Sequence, residues 1–150
     1  MSTLQFDVDL EWRADQKFGE ITVGEARTCV SKPRVVGTGA GMSLEDLFVA
    51  AAASSCSVTL AEMLRAVGLP QSLLAVHAEG LLASDAGAER FTTVTVRPSV
   101  QGADPAQRQA YEKAAIAARN NCFIDRSIRG NIAYVVGGVC LSVSNQEEYA

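Results

Sequence analysis

Two of the four cysteines stand where a thiol could do chemistry. Cys56 lies at the centre of LEDLFVAAAASSCSVTLAEML, Leu44 to Leu64, just after four alanines and two serines. A backbone that bare invites a close neighbour. Cys122 opens the stretch CFIDRSIRGN after Asn120 and Asn121. A thiolate is the reactive form of cysteine, and a sulfenic acid formed on it condenses with a second thiol to a disulfide. Cys56 falls about 12 residues into an expected helix, beyond the first turn where the helix dipole acts. A buried thiol without further help has a raised pKa and is inert. A reactive Cys56 therefore needs a cation from elsewhere in the fold. On pattern alone, a core cysteine is the commoner role for such a residue. Cys122 ends the apolar stripe of a second expected helix, so the two thiols meet if the helices pack.

Asp46 precedes Cys56 by ten residues, roughly 15 Å along one helix, out of reach of the sulfur. Its simplest role is to cap the helix with Ser43. Two copies of the helix crossing antiparallel near Ala51, with Ala50 to Ala53 at the crossing, would bring Asp46 of one chain near Cys56 of the other. The competing explanation is that sheets of the same chain cover the alanines.

The elements that must position these residues are legible in outline. LQFDVDLEW alternates, with Leu4, Phe6, Val8, Leu10 and Trp12 on one face, as a half-buried antiparallel strand does. A polar turn around Ala14 to Gly19 leads to EITVG as hairpin partner. RTCVS and PRVV are short strand candidates, and GTGAGM is a glycine-rich loop. Ser43 and Asp46 open the central helix, and Gly68-Leu69-Pro70 stops it near Ala66. Its apolar or small composition up to Glu62 predicts burial all round. LAVHAEGLLAS and RFTTVTVRPSV form a second hairpin about DAGAE. Asp104, Pro105 and Gln107 start a second helix, whose stripe is Tyr111, Ala114, Ala115, Ala118 and Cys122. IAYVVGGVCLSV is a final strand with a glycine bulge. The order predicts an α+β fold, antiparallel sheets with helices packed on them, in one domain over residues 1–150.

The composition narrows the function. Hydrophobic residues make up 48% and the formal charge is -4, which suits a globular chain and disfavours a nucleic-acid partner. No apolar run reads as a membrane span, and MSTLQFDVDLEW lacks the pattern of a secretion signal; the cytoplasm is the expected compartment. A single histidine, His77, and cysteines without short spacing argue against a metal site. Cys29 and Cys140, in strand-like runs, are expected to be buried thiols.

These residues resemble the family of osmotically inducible protein C and the organic hydroperoxide resistance proteins over nearly the whole length. EWRADQKFGEITV is similar to its opening hairpin, GMSLEDLFVAAAASSCSVTLAEML to its central-helix motif, and NNCFIDRSIRGNIAYVV to its second-cysteine motif. The resemblance implies an intertwined homodimer with sheets around a long buried central helix. It implies a thiol peroxidase for organic hydroperoxides, with Cys56 peroxidatic and Cys122 resolving, recycled by an external dithiol and needing no metal or bound cofactor. It also implies an arginine that stabilises the thiolate and a carboxylate that holds this arginine. Asp46 keeps the ten-residue spacing of that carboxylate, although Leu44-Glu45-Asp46-Leu47 replaces the family's Pro-x-Glu-Leu, and Phe123 replaces the usual proline after the second cysteine. Arg34 in KPRVVGTGAG matches the arginine of the osmotically inducible branch. Arg13, with Lys17 beside it, and Arg27 are the other candidates. The apolar walls expected for the substrate are Phe48, Leu60 and Phe123. A different class of function, a non-catalytic binding protein or a peroxide sensor on the same scaffold, is the alternative.

Overall fold

A computed structural model of the chain describes residues 2–31 and 41–143. The PRVV strand and Arg34 lie outside the described residues. The chain divides into two compact units, Met1–Phe48 and Val49–Ala150, and one long helix, α1 (Leu44–Ala66), begins in the first and continues through the second.

The first unit carries a sheet of β1 (Asp9–Arg13), β2 (Phe18–Val23), β3 (Ala26–Ser31) and the two-residue β4 (Met42–Ser43), in that order. The first two pairings are antiparallel, and β4 runs parallel to β3. The Gln16 and Lys17 amides close the β1–β2 turn on the Arg13 carbonyl, at 3.2 and 2.9 Å. The strand expected from Leu4 starts only at Asp9. The reason is the length of its partner: Asp9 pairs with Thr22, and β2 ends one residue later. Residues before Asp9 have no ladder to join, and the apolar face expected to be half-buried is exposed at Leu10 (54%) and Trp12 (44%). Cys29 in β3 is likewise exposed and not buried. At the start of α1, Ser43 Oγ accepts the Asp46 amide at 3.1 Å and an Asp46 carboxylate oxygen accepts the Ser43 amide at 3.0 Å. This is a reciprocal capping box, with Asp in the Glu position.

In the second unit, β5 (Leu73–Asp85) and β6 (Ala88–Gln101) form the expected hairpin. Ala86 and Gly87 both have positive φ, 50° and 82°, the primed turn whose twist matches paired strands. Gly80 on β5 leaves room for Val49 of α1: a Cβ there would lie 2.6 Å from Val49 Cγ2 and 2.7 Å from Phe91. After a 3-10 turn (Pro105–Gln107) capped by Asp104 come α2 (Arg108–Asn121) and α3 (Phe123–Ile128). The short α3 is not visible in the sequence pattern. The expected final strand is two, β7 (Ala133–Val136) and β8 (Cys140–Ser142), both parallel to β6. Gly137 and Gly138 separate them as an interruption, not a bulge within one strand. A side chain at 137 would meet Thr95 and Arg97 of β6. Cys140 on β8 is exposed, again unlike its expected burial.

The core of this unit gathers Leu60 and Leu64 of α1, Val100 of β6, Tyr111 and Ala115 of α2, and Val139. The helix buries one face, Ala52, Ser55, Cys56, Leu60 and Leu64, while Ala51, Ser54 and Val58 face outward in the single chain. Helical spacing explains the division, because positions three and four apart share a face. Three hydroxyls on the helix, Ser54, Ser57 and Thr59, donate to the carbonyls four residues back at 2.8, 2.8 and 2.9 Å. By length and a mean hydropathy of 1.6, α1 does meet the size of a membrane span, contrary to the reading of the sequence. A core helix has the same composition, and the Cys56 face of α1 is packed inside its unit.

The fold is therefore α+β, rich in antiparallel pairing and built with one long helix.

Candidate functional site

Cys56 has no exposed surface, and Cys122 almost none; both are free thiols. Local structure puts Cys122 at a junction. Its amide still bonds back to the Ala118 carbonyl at 3.0 Å, ending α2, while its own backbone is extended and its sulfur accepts the Asp125 amide at 3.4 Å, starting α3. A thiol thus does the work of a serine or asparagine N-cap. Its inward direction leaves Phe123 outside, 70% exposed. Leu60 lies in the core. Phe48, the third residue expected to wall the substrate, belongs to the first unit.

Tyr134 of β7 joins the two thiols. Its buried hydroxyl donates to the Ala52 carbonyl of α1 at 2.9 Å. In an α-helix that carbonyl is the acceptor for the amide of Cys56, four residues on. The small side chains before Cys56 therefore have an occupant within the chain: a tyrosine ring reaching the helix backbone at Ala52. Burial, first, and the neighbouring Cys122, second, push the Cys56 thiol up to about 11, while a hydrogen bond with the Tyr134 hydroxyl pulls it down. Burial also holds the Tyr134 phenol well above its usual range, reinforced by Cys56, Cys122 and Asp125. The phenol stays protonated at any physiological pH, so it offers a hydrogen bond and not a proton. Among the described residues, no cation contributes to the shift of Cys56.

Three charged groups, an ion pair and a second arginine, frame this cluster. Asp125 is buried on α3 and paired with Arg129 through Nε at 3.0 Å and through Nη2. Arg129 also donates to the Asn120 carbonyl at 3.2 Å, tying α3 back to the end of α2. Arg119 of α2 donates to the Tyr134 carbonyl at 2.8 Å, fixing the strand that carries the phenol. Sequence reasoning missed all of these. Asp125 and Arg129 stand four apart, a signal for a helical ion pair; nothing in the sequence separates Tyr134 from an ordinary core aromatic.

The expected site residues divide accordingly. Cys56 and Cys122 are brought together. Asp46 is engaged in the capping box of the first unit. Arg34 lies outside the described residues. Arg27 is paired with Glu20 at 3.8 Å, and Arg13 ends β1. Among the described residues, no three His, Cys, Asp or Glu side chains gather as metal ligands would. Chemically, the arrangement is a pair of buried thiols that share one hydrogen-bonding phenol.

The OsmC-like protein family model matches residues 37–136, both thiols included. The chain belongs to the OsmC-like family. A curated relative is the uncharacterised protein YmaD of Bacillus subtilis, 28% identical over 137 residues, 88% of this chain and 91% of that one. The fold is also that of an OsmC-like protein of unknown function from Vibrio cholerae (TM-score 0.79, 21% identity, 91% of this chain and 99% of that one). A third similar structure is an organic hydroperoxide resistance protein OsmC from Legionella pneumophila (TM-score 0.73, 16% identity, 92% and 99%). In this OsmC-like chain α1 is the core helix, which accounts for its apolar composition.

Proposed function

We propose that the chain is a thiol peroxidase that reduces organic hydroperoxides to alcohols. The observation that carries this reading is the pair of buried free thiols, Cys56 and Cys122, coupled to each other and to Tyr134. Family membership adds to it, since similar structures include proteins named for organic hydroperoxide resistance. The Cys56 thiolate attacks one peroxide oxygen. The O–O bond breaks, the leaving alkoxide takes a proton to become the alcohol, and Cys56 becomes a sulfenic acid. Cys122 attacks that sulfur, water leaves, and a Cys56–Cys122 disulfide forms. An external dithiol restores both thiols by exchange and is itself oxidised.

A thiol held near 11 is too seldom ionised for this work. The reading therefore includes a cation, Arg34, held by the Asp46 carboxylate and supplied within a homodimer. No metal or bound cofactor enters the scheme, and the cytoplasm, which keeps thiols reduced, suits it.

The raised pKa of Cys56 also favours a second reading, a non-catalytic binding protein on the same scaffold. Titrating the reduced protein with cumene hydroperoxide and counting free thiols separates the two. Loss of two thiols per chain, abolished in Cys56→Ser, is the expected result. Unchanged thiols under excess peroxide would leave the binding protein. Oxidation that no dithiol can turn over would indicate a peroxide sensor.

A further inference from the structure

We propose that Tyr134 stabilises the Cys56 thiolate: its hydroxyl, held 2.9 Å from the Ala52 carbonyl while the thiol is protonated, turns its hydrogen bond onto the Cys56 sulfur when the thiol ionises. The proposal rests on the peroxidase reading and names a group that the implied arginine and carboxylate do not include.

The geometry is specific. The Tyr134 hydroxyl is buried and has one proton, which it gives to Ala52 O. That carbonyl sits one helical turn before Cys56 and already has a donor in the Cys56 amide. Withdrawing the phenol from it therefore orphans nothing. A hydroxyl can rotate about its C–O bond at little cost, and its lone pairs are free to accept from a thiol in the protonated state. Once Cys56 is anionic, the same hydroxyl finds a charged acceptor, and hydrogen bonds to charged partners are roughly twice as strong as neutral ones. The interaction thus strengthens on ionisation and helps offset the burial that opposes it. Arg119, donating to the Tyr134 carbonyl at 2.8 Å, holds the strand in register for this contact. Among the described residues, the other titratable groups acting on the pair are Cys122 at the end of α2 and Asp125 on α3, the latter paired with Arg129. Both sulfurs act on the phenol, so Tyr134 is placed beside each of the two thiols.

The test uses the full-length reduced chain. The pH midpoint for alkylation of Cys56 by iodoacetamide, read by peptide mass mapping, is compared in wild type and Tyr134→Phe. The expected result is an upward shift of about one unit, with the circular dichroism spectrum and hydrodynamic size unchanged. 3-Fluorotyrosine at position 134, nearly the same size but a stronger donor, is expected to shift the midpoint downward, which keeps the test open should the phenylalanine variant fold poorly. Identical midpoints in folded variants would overturn the proposal. So would a downward shift in Tyr134→Phe. Alkylation needs no peroxide, so its outcome is independent of the peroxidase assay. A wild-type chain that shows the shifts yet leaves cumene hydroperoxide untouched would overturn the peroxidase reading and leave the tyrosine–thiolate contact standing.

Discussion

At the scale of single residues, the sulfur of Cys56 is governed by a contest between burial and hydrogen bonding. Burial wins in the isolated chain, since the thiol is pushed up to about 11. At pH 7 such a thiol is ionised in only about one molecule in 10,000. A cation beside it must reverse this for chemistry at neutral pH. If Arg34 is that cation, Arg34→Gln returns Cys56 toward 11. The sign follows from the acid equilibrium: a raised pKa means less thiolate below it, so the rate with hydroperoxide falls at pH 7 and recovers as the pH rises toward 11. A pH–rate profile of wild type against Arg34→Gln measures this, and a flat difference across that range would point to Arg27, Arg13 or no arginine. Cys56 and Cys122 were both legible in the sequence, because their neighbours carry strong patterns. Tyr134 was not, because a tyrosine in a strand looks the same whether it faces a thiol or a leucine.

At the scale of elements, α1 and α2 position the two thiols, and a tyrosine ties the loop that leaves α1 to the loop that enters α2. The Tyr111 hydroxyl donates to the Pro70 carbonyl at 2.6 Å and accepts the Asp104 amide at 3.2 Å. One buried side chain thus links the end of α1 to the start of α2. Tyr111→Phe leaves both backbone groups without that partner and is expected to cost about 1–3 kcal/mol, read as a lower urea midpoint with an unchanged slope. The start of α1 was legible from its cap, Ser43 with Asp46, whereas Asp104, expected to cap α2, caps the 3-10 turn that leads into it. Helix α3 was hidden, because its six residues are too few to show a period and its cap is a cysteine, a residue that no capping rule favours. The upstream end of β1 was overread for a related reason: alternation reports the tendency of one strand, while a ladder also needs a partner of equal length.

At the scale of the whole molecule, a single chain leaves much apolar surface uncovered. Leu4, Phe6, Val8, Leu10 and Trp12 share the alternating N-terminal segment and all remain exposed, as do Leu44 and Val58 on α1. A stable monomer seldom shows that much. A second copy of the chain is the proposed cover. Sedimentation equilibrium is expected to return twice the 15.8 kDa of one chain, and Trp12→Glu to shift the population toward the single mass. A wild-type mass of one chain at micromolar concentration would remove the homodimer and, with it, the route by which Asp46 of one chain serves Cys56 of another.

The sequence by itself determined the two long helices, the two hairpins, the α+β class and the two thiols worth examining. These are local matters: caps, hairpin turns and alternation act between residues a few positions apart. Tertiary structure alone decided that Tyr134 reaches the backbone at Ala52, that Cys122 caps a helix with its sulfur, and that burial drives the Cys56 pKa upward. The first depends on a residue 82 positions distant along the chain, the second on a cysteine, only three residues from Asp125, standing where no capping rule expects one, and the third on the loss of water around a thiol.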